Sequence, residues 1–227
     1  MIEGQRFHDR RIAGRLLARQ LTAYKQRPNV IVLGLPRGGI PVAFEIAREL
    51  QAPLDVFVVR KLGVPWQPEL AMGAIAPGGV EVLNDELVTA YNIPPHIIRA
   101  VAERETQELT RRLQDYRADR PFPVLTGRTV ILVDDGLATG STMRAAVQAL
   151  RQQKPSAIVV AVPVAAISTC RELRQLVEDV VCLHTPPGFS AVGLWYEDFS
   201  QTTDEEVRHL LAQAATAQSL VHQATGK

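Results

Sequence analysis

Short apolar runs alternate with amphipathic stretches along most of this chain. The apolar runs predict buried β-strands at residues 30–33, 54–59, 130–133, 157–164 and 180–183. The stretches between them predict helices at residues 9–24, 41–50, 141–152 and 167–176. Strands that alternate with helices are typical of an α/β fold, in which helices cover both faces of a mostly parallel sheet.

The stretch that follows the second predicted strand departs from this alternation. Residues 62–67 contain Gly63 and Pro65 and therefore predict a loop. Residues 70–76 and 80–83 flank a Pro-Gly-Gly sequence and predict a β-hairpin. A piece of antiparallel structure is therefore expected beside the parallel sheet.

Two further segments lie outside the strand–helix alternation. Residues 94–116 are rich in Glu, Arg, Gln and Leu and predict a long helix whose charges form a solvated face. From Pro186 onward an irregular aromatic segment is expected. A Thr-Asp-Glu-Glu capping sequence then predicts a final helix from about residue 203, frayed from about residue 215.

Composition narrows the class of protein. The 227 residues carry 25 basic and 24 acidic side chains, and a net charge of +1 argues against a nucleic-acid or membrane-surface partner. No apolar run approaches the roughly 18 residues that a membrane span requires. The charged and polar first residues predict the absence of a signal peptide. Cys170 and Cys182 lack metal-site spacing and are interpreted as buried thiols, so a cytoplasmic protein is expected.

The most informative run of residues is 130–142, Val-Ile-Leu-Val-Asp-Asp-Gly-Leu-Ala-Thr-Gly-Ser-Thr. A buried strand delivers Asp134 and Asp135 to its carboxyl end, and a turn of small, hydroxyl-bearing residues opens the next helix. The acids can accept from sugar hydroxyls or bind Mg²⁺, and the helix N-terminus can bind a phosphate. Taken alone, the acids could equally cap that helix and pair with an arginine. The turn has no lysine, so a monophosphate fits better than a nucleoside triphosphate.

This run resembles the binding motif for phosphoribosyl diphosphate (PRPP) in type I phosphoribosyltransferases, although Gly136 departs mildly from the usual pattern. The resemblance implies a Rossmann-like core sheet with a small subdomain that carries a flexible loop and a hood. It also implies that Asp134 and Asp135 contact the ribose hydroxyls, directly or through Mg²⁺. The residues that would then bind the phosphoribosyl group are Asp134, Asp135, Gly136, Ala138, Thr139, Gly140, Ser141 and Thr142.

Two earlier strand ends match the same family in order and chemistry. The turn formed by Pro36, Arg37, Gly38 and Gly39 stands where the family places its pyrophosphate loop. Two glycines allow conformations that other residues disfavour, and the arginine supplies positive charge; an ordinary strand-to-helix turn is the alternative. Arg60 and Lys61 resemble the basic pair before the flexible catalytic loop, and they are predicted to help neutralise the leaving pyrophosphate. Residues 62–69 would form that mobile loop.

The aromatic segment from Pro186 resembles the hood that covers the base in purine-type members. Phe189 and Trp195 are therefore candidates to stack on a heterocycle, and the alternative is that these rings pack against the core. Asp198 stands close to the position of the acid in that hood pattern. The resemblance thus predicts a metal set of Asp134, Asp135 and Asp198.

The resemblance organises the chain as one domain over residues 1–227. Its expected parts are a core at about 28–60 and 127–185, a hairpin and helical insertion at about 62–123, a hood at about 186–202 and a C-terminal helix at about 203–215. The helical segment is interpreted as an insertion or a feature of a subfamily.

The implied activity is transfer of the 5-phosphoribosyl group from PRPP to a nitrogenous base with Mg²⁺, within nucleotide or nucleoside metabolism. A purine-like acceptor is favoured weakly, and a homodimer is compatible with the family. Two alternatives remain open: a PRPP- or nucleotide-binding regulator without catalysis, and a hydrolase of a ribose phosphate. The absence of a Ser/His or Cys/His arrangement is no objection, because this chemistry depends on positioning and charge neutralisation.

Overall fold

The computed structural model describes residues 6–118 and 120–225, with the backbone alone at residues 68, 69 and 219–225. The helices in this part of the chain are α1 (Arg10–Ala18), α2 (Gly39–Leu50), α3 (Asp85–Ala90), α4 (Pro95–Arg117), α5 (Ser141–Gln152), α6 (Ile167–Leu173) and α7 (Asp204–Thr225). The strands are β1 (Val30–Gly34), β2 (Leu54–Val56), β3 (Arg60–Val64), β4 (Gln67–Ala76), β5 (Val80–Leu83), β6 (Thr129–Val133), β7 (Ala157–Val164) and β8 (Asp179–His184). Short 3₁₀ turns lie at Thr22–Tyr24 and Val192–Trp195.

The main sheet has five parallel strands in the order β2-β1-β6-β7-β8. Strands β1 and β6 pair without a break from Val30 opposite Thr129 to Gly34 opposite Val133. Because parallel strands end at the same edge of a sheet, the loops after β1 and β6 are neighbours. The predicted α/β fold is confirmed.

Alternate residues of the central strands supply two separate apolar layers. Val32 and Ile131 face the layer formed with α1, α2 and α7. Leu33 and Leu132 face the layer formed with α5 and α6. A strand that is buried on both faces has to be apolar at every position, which explains the continuous hydrophobic runs in the sequence.

The second predicted strand is shorter than expected. It was predicted over residues 54–59, but β2 ends at Val56, and the chain leaves the sheet after the N–H of Phe57 donates to the carbonyl of Gly34. Arg60 and Lys61 therefore do not end this strand; they begin β3 in a separate antiparallel sheet.

The expected loop at residues 62–67 is wrong except at Pro65 and Trp66, which form the turn between two strands. Strand β3 continues to Val64, pairs with β4, and the order of this second sheet is β3-β4-β5. Leu62 and Val64 are fully buried while Gly63 between them is not, so the two-residue period of a strand outweighs the Gly and Pro signals. The register shifts at Gly63, where a bulge accommodates the irregular sequence. The hairpin predicted at 70–76 and 80–83 is confirmed as part of β4 and β5.

The helices agree with the predictions except at their ends. Helix α4 (Pro95–Arg117) matches the predicted span 94–116, and it packs on β3 and α7. The first helix ends at Ala18 rather than near residue 24, where a 3₁₀ turn follows. The final helix was expected to fray from about residue 215, but α7 continues to Thr225.

Two remaining sequence predictions concern membranes and thiols. None of the helices in the described part of the chain combines the length and the apolar character needed to cross a bilayer. Cys170 and Cys182 are free thiols; the first is buried and the second is half-buried. A hydrogen bond with the Cys182 thiol lowers the pKa of Cys170 to about 7.

Candidate functional site

The site begins with the two acids at the carboxyl end of β6. Asp134 and Asp135 follow Val133 directly, and Oδ1 of Asp134 accepts from the N–H of Asp135 at 2.9 Å. Burial raises the pKa of Asp134 well above the usual range of an aspartate, and the adjacent charge of Asp135 raises it further. Burial also raises the pKa of Asp135, which the Arg10 guanidinium opposes. Two acids in so little water attract hydroxyl donors and cations.

The glycine turn after β1 packs directly on these acids. A Cβ atom built on Gly38 would lie 2.0 Å from Oδ2 of Asp135, and one on Gly39 would lie 2.6 Å from the carbonyl oxygen of Val133. The N–H of Leu35 also donates to that carbonyl at 2.9 Å. The peptide bond between Pro36 and Arg37 is cis. The turn and the acid pair, 97 positions apart when measured from Gly38 (135 − 38), therefore pack directly against each other.

The loop after the acids leads into the N-terminus of α5. Gly140, with a φ of +68°, precedes the helix and allows the sharp turn into Ser141. The hydroxyls of Thr139 and Ser141 lie 3.4 Å apart at this end. The first N–H groups of a helix lack partners within the helix, so this end of α5 suits a phosphate.

The loop between the acids and α5 rests on α6. The hydroxyl of Thr169 donates to the carbonyl of Ala138 at 2.7 Å, and a Cβ on Gly140 would lie 2.4 Å from Cγ2 of the same threonine. Arg144 donates to the carbonyl of Thr139 at 2.9 Å. The backbone of the loop is thus held from both sides. Ala138, Thr139 and Thr142 are exposed, and Ser141 is half-buried.

The aromatic segment takes a mixed position. Tyr196 is buried, and its hydroxyl donates to the backbone carbonyl of Asp135 at 2.5 Å. Phe189 and Trp195 are half-buried and pack against the small apolar cluster that contains Tyr196 and Phe7. The alternative in which these rings pack against the core therefore describes their buried part, and stacking on a heterocycle stays a prediction for their exposed surface.

The three predicted cations lie in different surroundings. Arg37 is partly exposed, with Nη1 3.8 Å from a carboxylate oxygen of Asp204 at the start of α7. Arg60 donates from Nε and Nη2 to Oε2 of Glu105 on α4, at 2.9 and 2.6 Å. Lys61 is half-buried on β3, opposite Ala74. The structure places Arg37 in the glycine turn beside the acids and Arg60 in an ion pair with the inserted helix.

The predicted metal set is not gathered in one place. Asp198 is exposed, its N–H donates to the carbonyl of His8, and its carboxylate accepts from the N–H of Ser200. Among the described residues, no group of three or more His, Cys, Asp or Glu side chains could hold a metal ion. Asp134 and Asp135 alone still fit Mg²⁺, which is commonly bound by one or two carboxylates together with substrate phosphates and water.

Sequence reasoning missed Arg10, the side chain that contacts the acid pair. Its Nε lies 2.8 Å from Oδ2 of Asp135, and both side chains are largely buried. The nearest local signal was the adjacent Asp9, whose carboxylate accepts from the N–H of Ile12 and caps α1. A helix cap predicts where α1 begins, but it does not predict what the first side chain of the helix touches.

The fold and the site define a class: an α/β protein whose parallel sheet edge combines paired acids, a glycine turn and a helix N-terminus suited to phosphate. A sequence model of the phosphoribosyl transferase domain matches residues 6–193. The chain belongs to this family.

Relatives and solved structures agree with this assignment. Two Mycobacterium tuberculosis proteins, one from each of two strains, are provisionally named phosphoribosyl transferases and are each 49% identical over 208 residues. The match covers 92% of this chain and 47% of each relative, so the chain spans about half their length. The crystal structure of TT1426 from Thermus thermophilus is 43% identical, with a TM-score of 0.84 over 92% of this chain and 99% of that one.

Proposed function

We propose that this domain transfers the 5-phosphoribosyl group of PRPP to a nitrogenous base and releases pyrophosphate. The observation that carries the proposal is the contact between the glycine turn and the acid pair, with Gly38 against Asp135. The acids also lead directly into the loop that opens α5, so the substrate crevice of this proposal would run from the α5 N-terminus past the acids to the Arg37 turn. A substrate with a phosphate at one end of a ribose and a pyrophosphate at the other matches this order of groups.

Each part of the crevice has a role in the proposed reaction. Asp134 and Asp135 accept hydrogen bonds from the ribose hydroxyls, and residues 138–142 with the α5 N-terminus bind the 5′-phosphate. The bond from C1 of the ribose to the pyrophosphate oxygen breaks as a bond from C1 to the base nitrogen forms, and the proton of that nitrogen passes to the departing pyrophosphate, which also takes the electron pair of the broken bond. These side chains orient the two reactants and exclude water, which supplies much of the barrier reduction in such displacements.

Positive charge is needed where the pyrophosphate leaves. Asp134 and Asp135 would hold Mg²⁺, which when bound neutralises charge on the pyrophosphate. The guanidinium of Arg37 in the glycine turn adds a positive charge for the pyrophosphate. Arg60 could contact the pyrophosphate only if its ion pair with Glu105 broke. The adjacent Lys61 is not part of that ion pair. We therefore assign the pyrophosphate contact to Arg37 in preference to Arg60.

The proposed acceptor is a planar heterocycle of the purine type. Phe189 and Trp195 keep exposed surface close to Tyr196, whose hydroxyl touches the backbone of Asp135. A ring stacked on this aromatic segment would stand beside the sugar site.

The proposal is tested by measuring pyrophosphate release with PRPP, Mg²⁺ and a panel of purine and pyrimidine bases. We expect release that depends on one or a few bases. In parallel, isothermal titration calorimetry measures PRPP binding to the wild type and to the double variant Asp134→Asn/Asp135→Asn. The double variant should bind at least about 100-fold more weakly, since hydrogen bonds to charged groups contribute about 1.5–3 kcal/mol each. Asp179→Asn, an exposed acid at the start of β8, serves as the control and should bind normally.

Three results would contradict the proposal. Normal PRPP affinity in the double variant would mean that the acids do not bind the sugar. PRPP binding without pyrophosphate release for any base would favour a regulator. Release of ribose or phosphate in the absence of a base would favour a hydrolase.

A further inference from the structure

The side chain of Arg10 lies where three separate segments meet. Its Nε donates to Oδ2 of Asp135 at 2.8 Å, and its Nη1 donates to the carbonyl of Ser200 at 2.7 Å. The guanidinium carbon lies 3.9 Å from the centre of the Phe199 ring, a cation–π geometry. One side chain at the start of α1 therefore contacts the acid pair and, through Phe199 and Ser200, the hood.

This ion pair differs from the surface pairs of the molecule. The side chains of Arg10 and Asp135 are 12% and 15% exposed, whereas those of His8 and Glu197 in a neighbouring pair are 69% and 59% exposed. Exposed ion pairs contribute little to stability, because water screens the charges and ordering two long side chains costs entropy. The planar guanidinium of Arg10 is itself held, because it donates from Nε to the Asp135 carboxylate and from Nη1 to the Ser200 carbonyl, so it restrains the orientation of that carboxylate.

The backbone of Arg10 is also fixed from both sides. On its N-terminal side, the N–H of Phe7 donates to the carbonyl of Trp195 at 2.8 Å. The N–H of Glu197 donates to the carbonyl of Phe7, also at 2.8 Å. On its C-terminal side, the Asp9 cap holds the first turn of α1. The position of Arg10 is therefore set by a bridge to the hood and by a helix start, and not by the ion pair alone.

We propose that Arg10 is a positioning residue that orients Asp135 for the ribose of PRPP and links the hood to the sugar site. The inference rests on the phosphoribosyl transfer proposed above. By engaging Oδ2, Arg10 directs the other carboxylate oxygen of Asp135 to the ligand, and Gly38 leaves the space that this orientation needs. Without Arg10, the carboxylate is free to rotate away from its neighbour Asp134, and the hood loses its tie to the acid strand.

The test is a double-mutant cycle for PRPP binding in the presence of Mg²⁺, measured by calorimetry on the full chain. Arg10→Gln should weaken binding about 10-fold or more, since a charge-assisted hydrogen bond to the carboxylate is lost. Asp135→Asn should also weaken it. In the Asp135→Asn background, Arg10→Gln should change the affinity by less than about 2-fold, because Arg10 acts through that carboxylate. A purely structural arginine would weaken binding equally in both backgrounds.

Controls separate this inference from the proposed function. Arg11→Gln alters an exposed arginine on the same helix turn and should bind PRPP as the wild type does. If Arg10→Gln does not fold, Arg10→Lys takes its place in the cycle, since it retains the charge but not the fork. Normal binding by the folded Arg10 variant, or equal losses in both backgrounds, would overturn the role of Arg10 while PRPP binding by the wild type stands. A wild type that does not bind PRPP would instead overturn the proposed function.

Discussion

At Gly38, an added Cβ atom would lie 2.0 Å from Oδ2 of Asp135, far inside van der Waals contact. The φ and ψ of Gly38 are −61° and −30°, an ordinary helical conformation that any residue adopts. Glycine is therefore required for space and not for backbone freedom. The same carboxylate oxygen accepts a hydrogen bond from Arg10. At the residue scale, the carboxylate of Asp135 therefore lies between the backbone of Gly38, which leaves space for it, and the largely buried guanidinium of Arg10.

Gly38→Ala tests that interpretation at the residue scale. The methyl group would displace the Asp135 carboxylate, and PRPP affinity should fall at least about 10-fold, as expected for the loss of one charged contact. Calorimetry with PRPP and Mg²⁺ measures this affinity.

Gly79→Ala is the matched control, because φ at Gly79 is +74° and nothing lies within 4 Å of its added Cβ. It should cost about 1 kcal/mol of stability through the left-handed backbone and leave PRPP affinity unchanged. Equal affinity in both variants would contradict the crowding argument.

Helices α1 and α2 approach each other closely, and that contact sets where Arg10 stands. A Cβ on Gly14 of α1 would lie 2.7 Å from the carbonyl oxygen of Val42 and 3.0 Å from Cβ of Glu45, both on α2. Because Arg10 is one turn earlier on α1, the separation of the two helices also determines the distance from Arg10 to the acid strand. At the scale of elements, one glycine thus supports the geometry of the site.

Gly14→Ala should destabilise the protein even though alanine is the better helix former. The substitution gains up to about 1 kcal/mol of helix propensity, while pushing two packed helices apart costs about 1–3 kcal/mol. Because α1 must move, we also expect weaker PRPP binding. Urea denaturation measures the free energy of unfolding. Unchanged or raised stability would show that the two helices can adjust without strain.

Helix α4 contacts several separate parts of the molecule through its polar side chains. Its Glu105 pairs with Arg60 of the second sheet, its Tyr116 donates to Asp204 of α7, and its Arg117 pairs with a carboxylate at the edge of the main sheet. That last partner is Asp55 of β2, with Nη2 of Arg117 2.9 Å from Oδ2. At the scale of the whole molecule, α4 braces β3, α7 and β2 around the core.

Arg117→Met tests the brace through its dependence on pH. The side chains of Arg117 and Asp55 are 5% and 13% exposed, and removing one partner of such a pair costs about 3–5 kcal/mol. Burial raises the pKa of Asp55 while Arg117 lowers it, so the variant should raise that pKa further. An acid whose folded pKa is raised loses stability as pH rises through that pKa. The deficit of the variant in urea denaturation should therefore be larger at pH 7 than at pH 5. A deficit independent of pH would mean that packing, and not the charge of Asp55, is responsible.

The main sheet and part of the site followed from local sequence. Residues 130–133 and 157–164 are apolar throughout because both faces of their strands are covered, and the acids after the first run stand at the sheet edge as predicted. The prediction for residues 62–67 was wrong because Gly63 and Pro65 are strong loop signals. The pairing of β3 with β4 overrides them through the burial of Leu62 and Val64.

Local sequence was enough to predict the α/β alternation, the acid pair and the small-residue loop that opens α5, because each depends on residues close together in the chain. The contact of Arg10 with Asp135, 125 positions away, and that of Arg60 with Glu105 are visible only in three dimensions. Those pairings arise when the packing of α1 and α4 brings distant charges into spaces with little water, where each charge needs a partner. The pattern of residues near Arg10 or Arg60 in the chain does not predict these partners.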